Sequence, residues 1–239
     1  MQRLIFLLAT DQPASLEPAL RDCEQQLTDL VTSIGGTLRL AVQLEGDPLS
    51  AEGAGDARTI RALRGVVDVT IDGDDSDPLL GIAQPVAAAL GTAVDWPASA
   101  VSVGVVRQVL PTPSETLMLT LAADRLPSID RPAFHEYWLN SHAALAMSML
   151  DDQDKERMGY QQVHADQVAS ARATDLAGAG ASSFDGVLQC ALAQITDLPH
   201  LTVPGFAEAI MKDEENFADQ SAAMFGAFTR TLPAQGASS

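Results

Sequence analysis

The sequence of 239 residues is 46% apolar, enough to bury a real core in one large domain or two small ones. It carries 14 Lys and Arg against 32 Asp and Glu, a formal charge of −18. That balance argues against nucleic acid or an anionic membrane as partner, since both require clustered Lys and Arg.

Arg3 to Thr10 is rich in large apolar residues and reads as a buried strand. Its apolar centre is too short for a signal-peptide core, and no small-residue cleavage pattern follows. No apolar run approaches the roughly 20 residues of a membrane span. Ser15 can cap a helix that runs to about Ser33, with Leu16, Leu20, Leu27, Leu30 and Val31 as its apolar stripe. Gly35 and Gly36 stop it. From Thr37 to Leu44, Leu38, Leu40, Val42 and Leu44 alternate with Arg39 and Gln43, the pattern of a half-buried strand. Glu45 to Asp56 is polar and Gly-rich, a loop. Val66 to Ile71 is a strand closed by the turn at Asp72–Asp75. Pro78 to Leu90 is helical, and Val101 to Leu110 is a fourth strand. Pro111, Thr112 and Pro113 then read as a linker.

The second half repeats the order. Thr116 to Ala122 is a strand and Pro132 to about Leu150 a helix, with proline near its first position. Arg157 to Asp166 is a strand. Val168 to Ser183, rich in small residues, reads as a loop, either a lid or a surface insertion. Phe184 to Ile195 is a strand, Pro204 to Phe217 a helix and Ala223 to Leu232 the last strand. The tail 233–239 is expected to fray.

These elements predict an α+β protein. Two tandem ferredoxin-like βαββαβ repeats, 1–112 and 115–232, have antiparallel sheets that pack together into an α+β barrel. A homodimer of such fused chains is compatible with this. Cys23 and Cys190 lie far apart without metal spacing. They read as reduced core thiols of a cytoplasmic protein, with a reactive thiol at Cys190 as the lesser alternative.

The chemistry-bearing side chains are uneven along the chain. All four histidines, both tyrosines and six of seven phenylalanines fall in the second half. At about 100° per residue, Phe134, Trp138, His142, Leu145 and Met149 share one helical stripe, so His142 points towards the sheet, while His135 lies at the stripe's edge. On the Arg157–Asp166 strand, Met158, Tyr160, Gln162 and His164 share one face. Either that face meets solvent, or it lines a pocket that His142 also faces. His142 itself is either a core histidine bonded to a carbonyl or an acid/base group. No metal-ligand spacing, phosphate loop or nucleophile elbow is present. The turn at Asp95, Trp96 and Pro97 and the acidic run Asp213–Glu215 read as a turn and a solvated helix face.

Phe134, His135, Tyr137, Trp138, His142, Ala143 and Leu145, followed by Tyr160 and His164, then Phe184–Val187, then Asp213, Glu214, Asn216 and Phe217, resemble the EthD domain family of the dimeric α+β barrel superfamily. The motifs span about 100 residues in the family's order. The first half shows none of them and looks like a diverged copy. The resemblance implies a ferredoxin-like fold and a helix–sheet pocket for a small hydrophobic or aromatic molecule, with no cofactor and no metal. It places His142 at the family's helix histidine, with Tyr160, His164 and His135 as further catalytic candidates. Phe134, Tyr137, Trp138, Leu145, Met158, Gln162 and Phe217 would contact the substrate.

The expected function is a cofactor-independent acid/base enzyme of isomerase, dehydratase, decarboxylase or cyclase type. The alternatives are a binding or accessory protein for a small hydrophobic ligand, and a haem- or oxygen-dependent monooxygenase of the same superfamily.

Overall fold

A computed structural model describes residues 1–50, 60–112, 117–180, 184–222 and 224–234. The first half contributes β1 (Gln2–Leu8), α1 (Pro13–Ser33), β2 (Thr37–Gln43), a short parallel strand β3 (Ile60–Ala62), β4 (Gly65–Ile71), α2 (Asp77–Leu90) and β5 (Ala100–Leu110). The second contributes β6 (Leu117–Ala123), α3 (Arg131–Tyr137), a π-helical turn (Trp138–His142) and α4 (Ala143–Ser148). It continues through α5 (Asp152–Arg157), β7 (Met158–Ala165), α6 (Gln167–Ala177), β8 (Gly186–Leu192), α7 (Pro199–Thr202), α8 (Phe206–Glu214) and β9 (Met224–Thr231). The expected linker and loops overlap 51–59, 113–116 and 181–183, and the tail begins at 233; what falls there, or beyond 234, lies outside the described residues.

Both halves order their four antiparallel strands alike, β2-β4-β1-β5 and β7-β8-β6-β9. The two sheets join edge to edge. β5 pairs with β7 from Gly104 opposite Ala165, and β2 pairs with β9 through Ala41 opposite Thr231. Both seams satisfy backbone groups that would otherwise form open edges, and the result is one closed eight-stranded antiparallel barrel.

Closure corrects the reading of Arg39. An exposed face was expected for the polar side of β2, yet Arg39 is buried inside the barrel, paired with Asp68. The interior is divided: Ile5, Leu7, Val66, Val163, Val187 and Phe225 pack as one apolar cluster, while Arg3, Arg39, Asp68, Gln161 and Gln189 are also buried.

Helices cover the outer faces. On the first half, Leu16, Leu20, Cys23, Leu27 and Val31 of α1 meet Leu4, Phe6 and Leu8 of β1 in a dense cluster that α2 completes. The α1 helix begins two residues before the expected cap, with Pro13 in its first turn and the Ser15 hydroxyl donating to the Gln12 carbonyl. The expected loop after β7 is instead α6. The Asp166 carboxylate caps it by accepting from the Val168 and Ala169 amides, and Gly178 ends it at φ 70°. Its small residues are a packing face rather than a flexible sequence: Ala169, Ala173 and Ala177 join the first-half core, and the Ser170 hydroxyl bonds the Val103 backbone. Alanine is also the strongest helix former.

Candidate functional site

The helix carrying His142 is not uniformly α-helical. Between Trp138 and His142 it widens to a π turn, and the Ala143 amide reaches back five residues to the Trp138 carbonyl. The Gln162 side-chain amide on β7 donates to that same carbonyl at 3.0 Å. The extra residue per turn shifts the buried stripe. Phe134 and Trp138 point inward as the period demands, but after the turn burial falls on His142, Ala143, Ala146 and Leu150, leaving Leu145 and Met149 half-buried. Such turns recur at functional sites because they re-aim one side chain.

Here the side chain is His142. It is buried, and its Nδ1 lies 2.8 Å from Asp213 Oδ2 on α8. The Tyr137 hydroxyl donates to the other carboxylate oxygen at 2.8 Å. A carboxylate can only accept, so Nδ1 carries a proton, and in the neutral ring the lone pair is on Nε2. Asp213, expected as part of a solvated acidic face, is therefore the residue that fixes the tautomer and orientation of His142.

His142 borders a cavity of about 280 Å³ between the helices and the outer face of the barrel. Its floor comes from Leu119 and Leu121 of β6, Met158 and Tyr160 of β7, Leu188 and Cys190 of β8, and Phe228 of β9. Ala146, Phe206 and Ile210 form the helical wall, and Leu49 arrives from the first half. His200 and Glu214 add polar groups to a mostly apolar lining.

Tyr160 is buried, and its oxygen accepts from Gln162 Nε2 at 2.7 Å. The Trp138 carbonyl fixes that amide, since only the nitrogen can donate to it. The phenol therefore keeps its own proton for another acceptor. Burial raises its pKa, which keeps it protonated. Burial likewise pushes the Cys190 thiol up to about 12, against the reactive-thiol alternative.

His164 and His135 stand apart from this cavity. Their rings stack at 4.3 Å, and His164 also stacks on Trp138. His164 Nε2 lies 2.9 Å from Gln162 Oε1, and His135 Nε2 lies 2.8 Å from the Asp185 carbonyl. Burial lowers both pKa values, that of His164 to about 3, so both rings stay neutral. Of the expected substrate contacts, only Met158 lines the cavity. Phe134, Trp138 and Phe217 form a separate aromatic cluster under Tyr137. Gln162 is buried beneath the π turn, and Leu145 packs against the apolar cluster around the cavity. A Cβ on Gly186 would collide with the Trp138 ring, which explains the glycine in Phe184–Val187. Asp185 of the same motif is a buried anchor, accepting from the Arg131 Nε at 2.6 Å.

His200 and Leu49 were missed. His200 is one residue of a short helix without periodicity, and Leu49 lies in a polar loop. Burial lowers the His200 pKa.

The run from the aromatic helix to the last acidic helix matches a family model. Residues 126–221 match the EthD domain. Over 117 residues the chain is 26% identical to a conidial pigment biosynthesis dehydratase, EthD, of Metarhizium robertsii, a match spanning 47% of this chain and 81% of that protein. The EthD segment provides the helix histidine, its aspartate and most of the cavity. The whole barrel resembles solved structures at 10% identity. A chlorite dismutase variant from Candidatus Nitrospira defluvii aligns over 97% of this chain and 91% of its own, with a TM-score of 0.52. A Rhodococcus jostii RHA1 DypB variant in complex with heme aligns over 98% and 93%, with a TM-score of 0.53. These likenesses place the fold among the dimeric α+β barrels, here completed within one chain. No group of three or more His, Cys, Asp or Glu suited to a metal ion occurs among the described residues, and no described helix is long and apolar enough to cross a membrane.

Proposed function

We propose that the chain is a cofactor-independent acid/base enzyme that dehydrates a small, largely apolar, cyclic hydroxy-carbonyl compound. One observation carries this reading: the imidazole of His142, oriented by Asp213 at 2.8 Å, borders the same apolar cavity as the protonated phenol of Tyr160. His142 Nε2 removes a proton from carbon next to the substrate carbonyl. Tyr160 donates a hydrogen bond to the developing enolate oxygen. As the enolate re-forms the carbonyl, the β C–O bond breaks, and the proton held by His142 leaves with the hydroxyl as water. The enzyme ends the cycle as it began. The apolar walls exclude bulk water, which strengthens both interactions. The matched relative is named a dehydratase, and that name supports elimination over isomerisation or decarboxylation.

The test uses cyclic β-hydroxy ketones, with product formation and exchange of the α-proton into deuterated water as separate readouts. His142→Gln is expected to lower both by about 10²–10⁴-fold. Unchanged exchange in that variant overturns the assignment.

The mostly apolar lining also suits a protein that binds a hydrophobic metabolite without converting it. Ligand binding with neither exchange nor turnover would establish that reading. For haem, residues and space disagree. His142 could offer Nε2 to an iron with Asp213 behind it, as carboxylate-backed imidazoles do. However, a cavity of about 280 Å³ is smaller than a tetrapyrrole needs.

A further inference from the structure

The barrel interior holds a second, larger space. A void of about 490 Å³ opens at its polar end, lined among other residues by Arg3, Arg39, Asp68, Thr70, Thr112 and Gln161. It lies on the opposite side of the sheet from the His142 cavity, because inner and outer side chains alternate along each strand. Barrels of this size normally fill their interiors with side chains. Here Arg3, Arg39 and Asp68 are each at least nine-tenths buried, yet they border open space.

The hydrogen bonds around this void are ordered but incomplete. Arg39 Nε donates to Asp68 Oδ2 at 2.9 Å, Arg39 Nη2 reaches the same oxygen, and Gln189 Nε2 donates to it at 3.0 Å. Three donors thus neutralise one carboxylate oxygen. Among the described residues Arg39 Nη1, on the other side of the guanidinium, has no partner, and neither has Asp68 Oδ1. Arg3 holds its place through Thr70 at 2.9 Å and Gln161 at 2.8 Å, so its guanidinium is a fixed part of the wall. An unpaired donor on a buried cation is costly, and a charged acceptor relieves that cost most fully.

We propose that the polar end of the barrel interior binds a small organic carboxylate. A planar carboxylate matches the fork of a guanidinium, and the Thr70 and Thr112 hydroxyls and the Gln161 amide offer further polar contacts. Asp68 on the same wall works against a dianion such as phosphate, while a single carboxylate meets less repulsion. Thr37 and Gln108, both exposed, stand at the mouth and leave a path for entry. Strands of both halves build the wall, so the site requires the closed barrel.

The test is an NMR titration of the arginine Nε–H signals of the full chain with acetate and propionate. Sodium chloride at equal ionic strength and inorganic phosphate serve as comparisons. A saturable shift at Arg39 in the millimolar range, absent with chloride and weaker with phosphate, is expected. Thr37→Glu places a carboxylate at the mouth on an exposed strand position and should weaken acetate binding about tenfold, while Thr37→Gln should not. His142→Gln, across the sheet, should leave the shift unchanged. No saturable response even at high millimolar carboxylate, an equal response to chloride or phosphate, or indifference to Thr37→Glu would each overturn the proposal.

Discussion

The two outer faces of the barrel have the same strand order but opposite fillings. Over the first half, α1, α2 and α6 press Leu, Val and Ala side chains against β1, β2, β4 and β5 in a continuous core. Over the second, α4 and α8 stand over a cavity floored by β6 to β9. The difference lies in a few local features rather than in topology. The first face gains α6, a third helix. The second gains a π turn that re-aims His142, and a partner in Asp213 that holds it. One architecture thus yields a packed scaffold or a reactive hollow, depending on what stands over the sheet.

The contrast can be broken most sharply at the hollow. Asp213→Asn should cut turnover by on the order of 10²–10⁴-fold, because an amide can stabilise the wrong imidazole tautomer. The check is the pH–rate profile beside circular dichroism, which should show intact folding. Next comes the packed face. Leu20→Ala, on the fully buried face of α1, should cost about 3–5 kcal/mol in urea unfolding. Leu121→Ala on the cavity floor should cost about 1 kcal/mol, since that residue is half-buried beside existing space.

Acid titration gives a smaller effect. The folded His164 pKa of about 3 lies below the ordinary 6.5, so the unfolded chain binds more protons between these values. Stability from this source is complete above pH 6.5 and falls as pH drops towards 3. His164→Phe should therefore lose on the order of 1–2 kcal/mol less than the natural chain between pH 7 and pH 5, read from urea midpoints. Smallest in stability is Ala146→Leu, which extends a side chain into the cavity. Its unfolding free energy should change by less than about 1 kcal/mol while ligand affinity falls. A large loss of stability would mean that the cavity is already filled by its own walls.

Much of this arrangement was legible in the sequence. Most of the strand and helix order followed from periodicity, and the spacing from Phe134 and Trp138 pointed to a buried His142, although the π turn sets its aim. The shared face of Met158 and Tyr160 followed from alternation. What escaped depends on contacts distant in sequence. Asp213 looks like part of a solvated acidic run until α8 is laid beside the π turn, some seventy positions away. The π turn has no compositional mark, because the Gln162 contact that shares its carbonyl comes from a strand. Small residues in α6 suggested a loop because nothing local reveals the surface they fit. Arg39 looked solvent-facing because alternation identifies two faces but not which of them a closed barrel encloses.

The position of α6 has a consequence for how the molecule holds together. It follows β7 in the chain, yet its alanines complete the core beneath α1 and α2. Scission between β5 and β6 would therefore strip the leading fragment of a covering helix and leave both fragments with raw strand borders. Denaturation should proceed as a single cooperative melt, and the fragments, produced separately, should regain structure only when mixed.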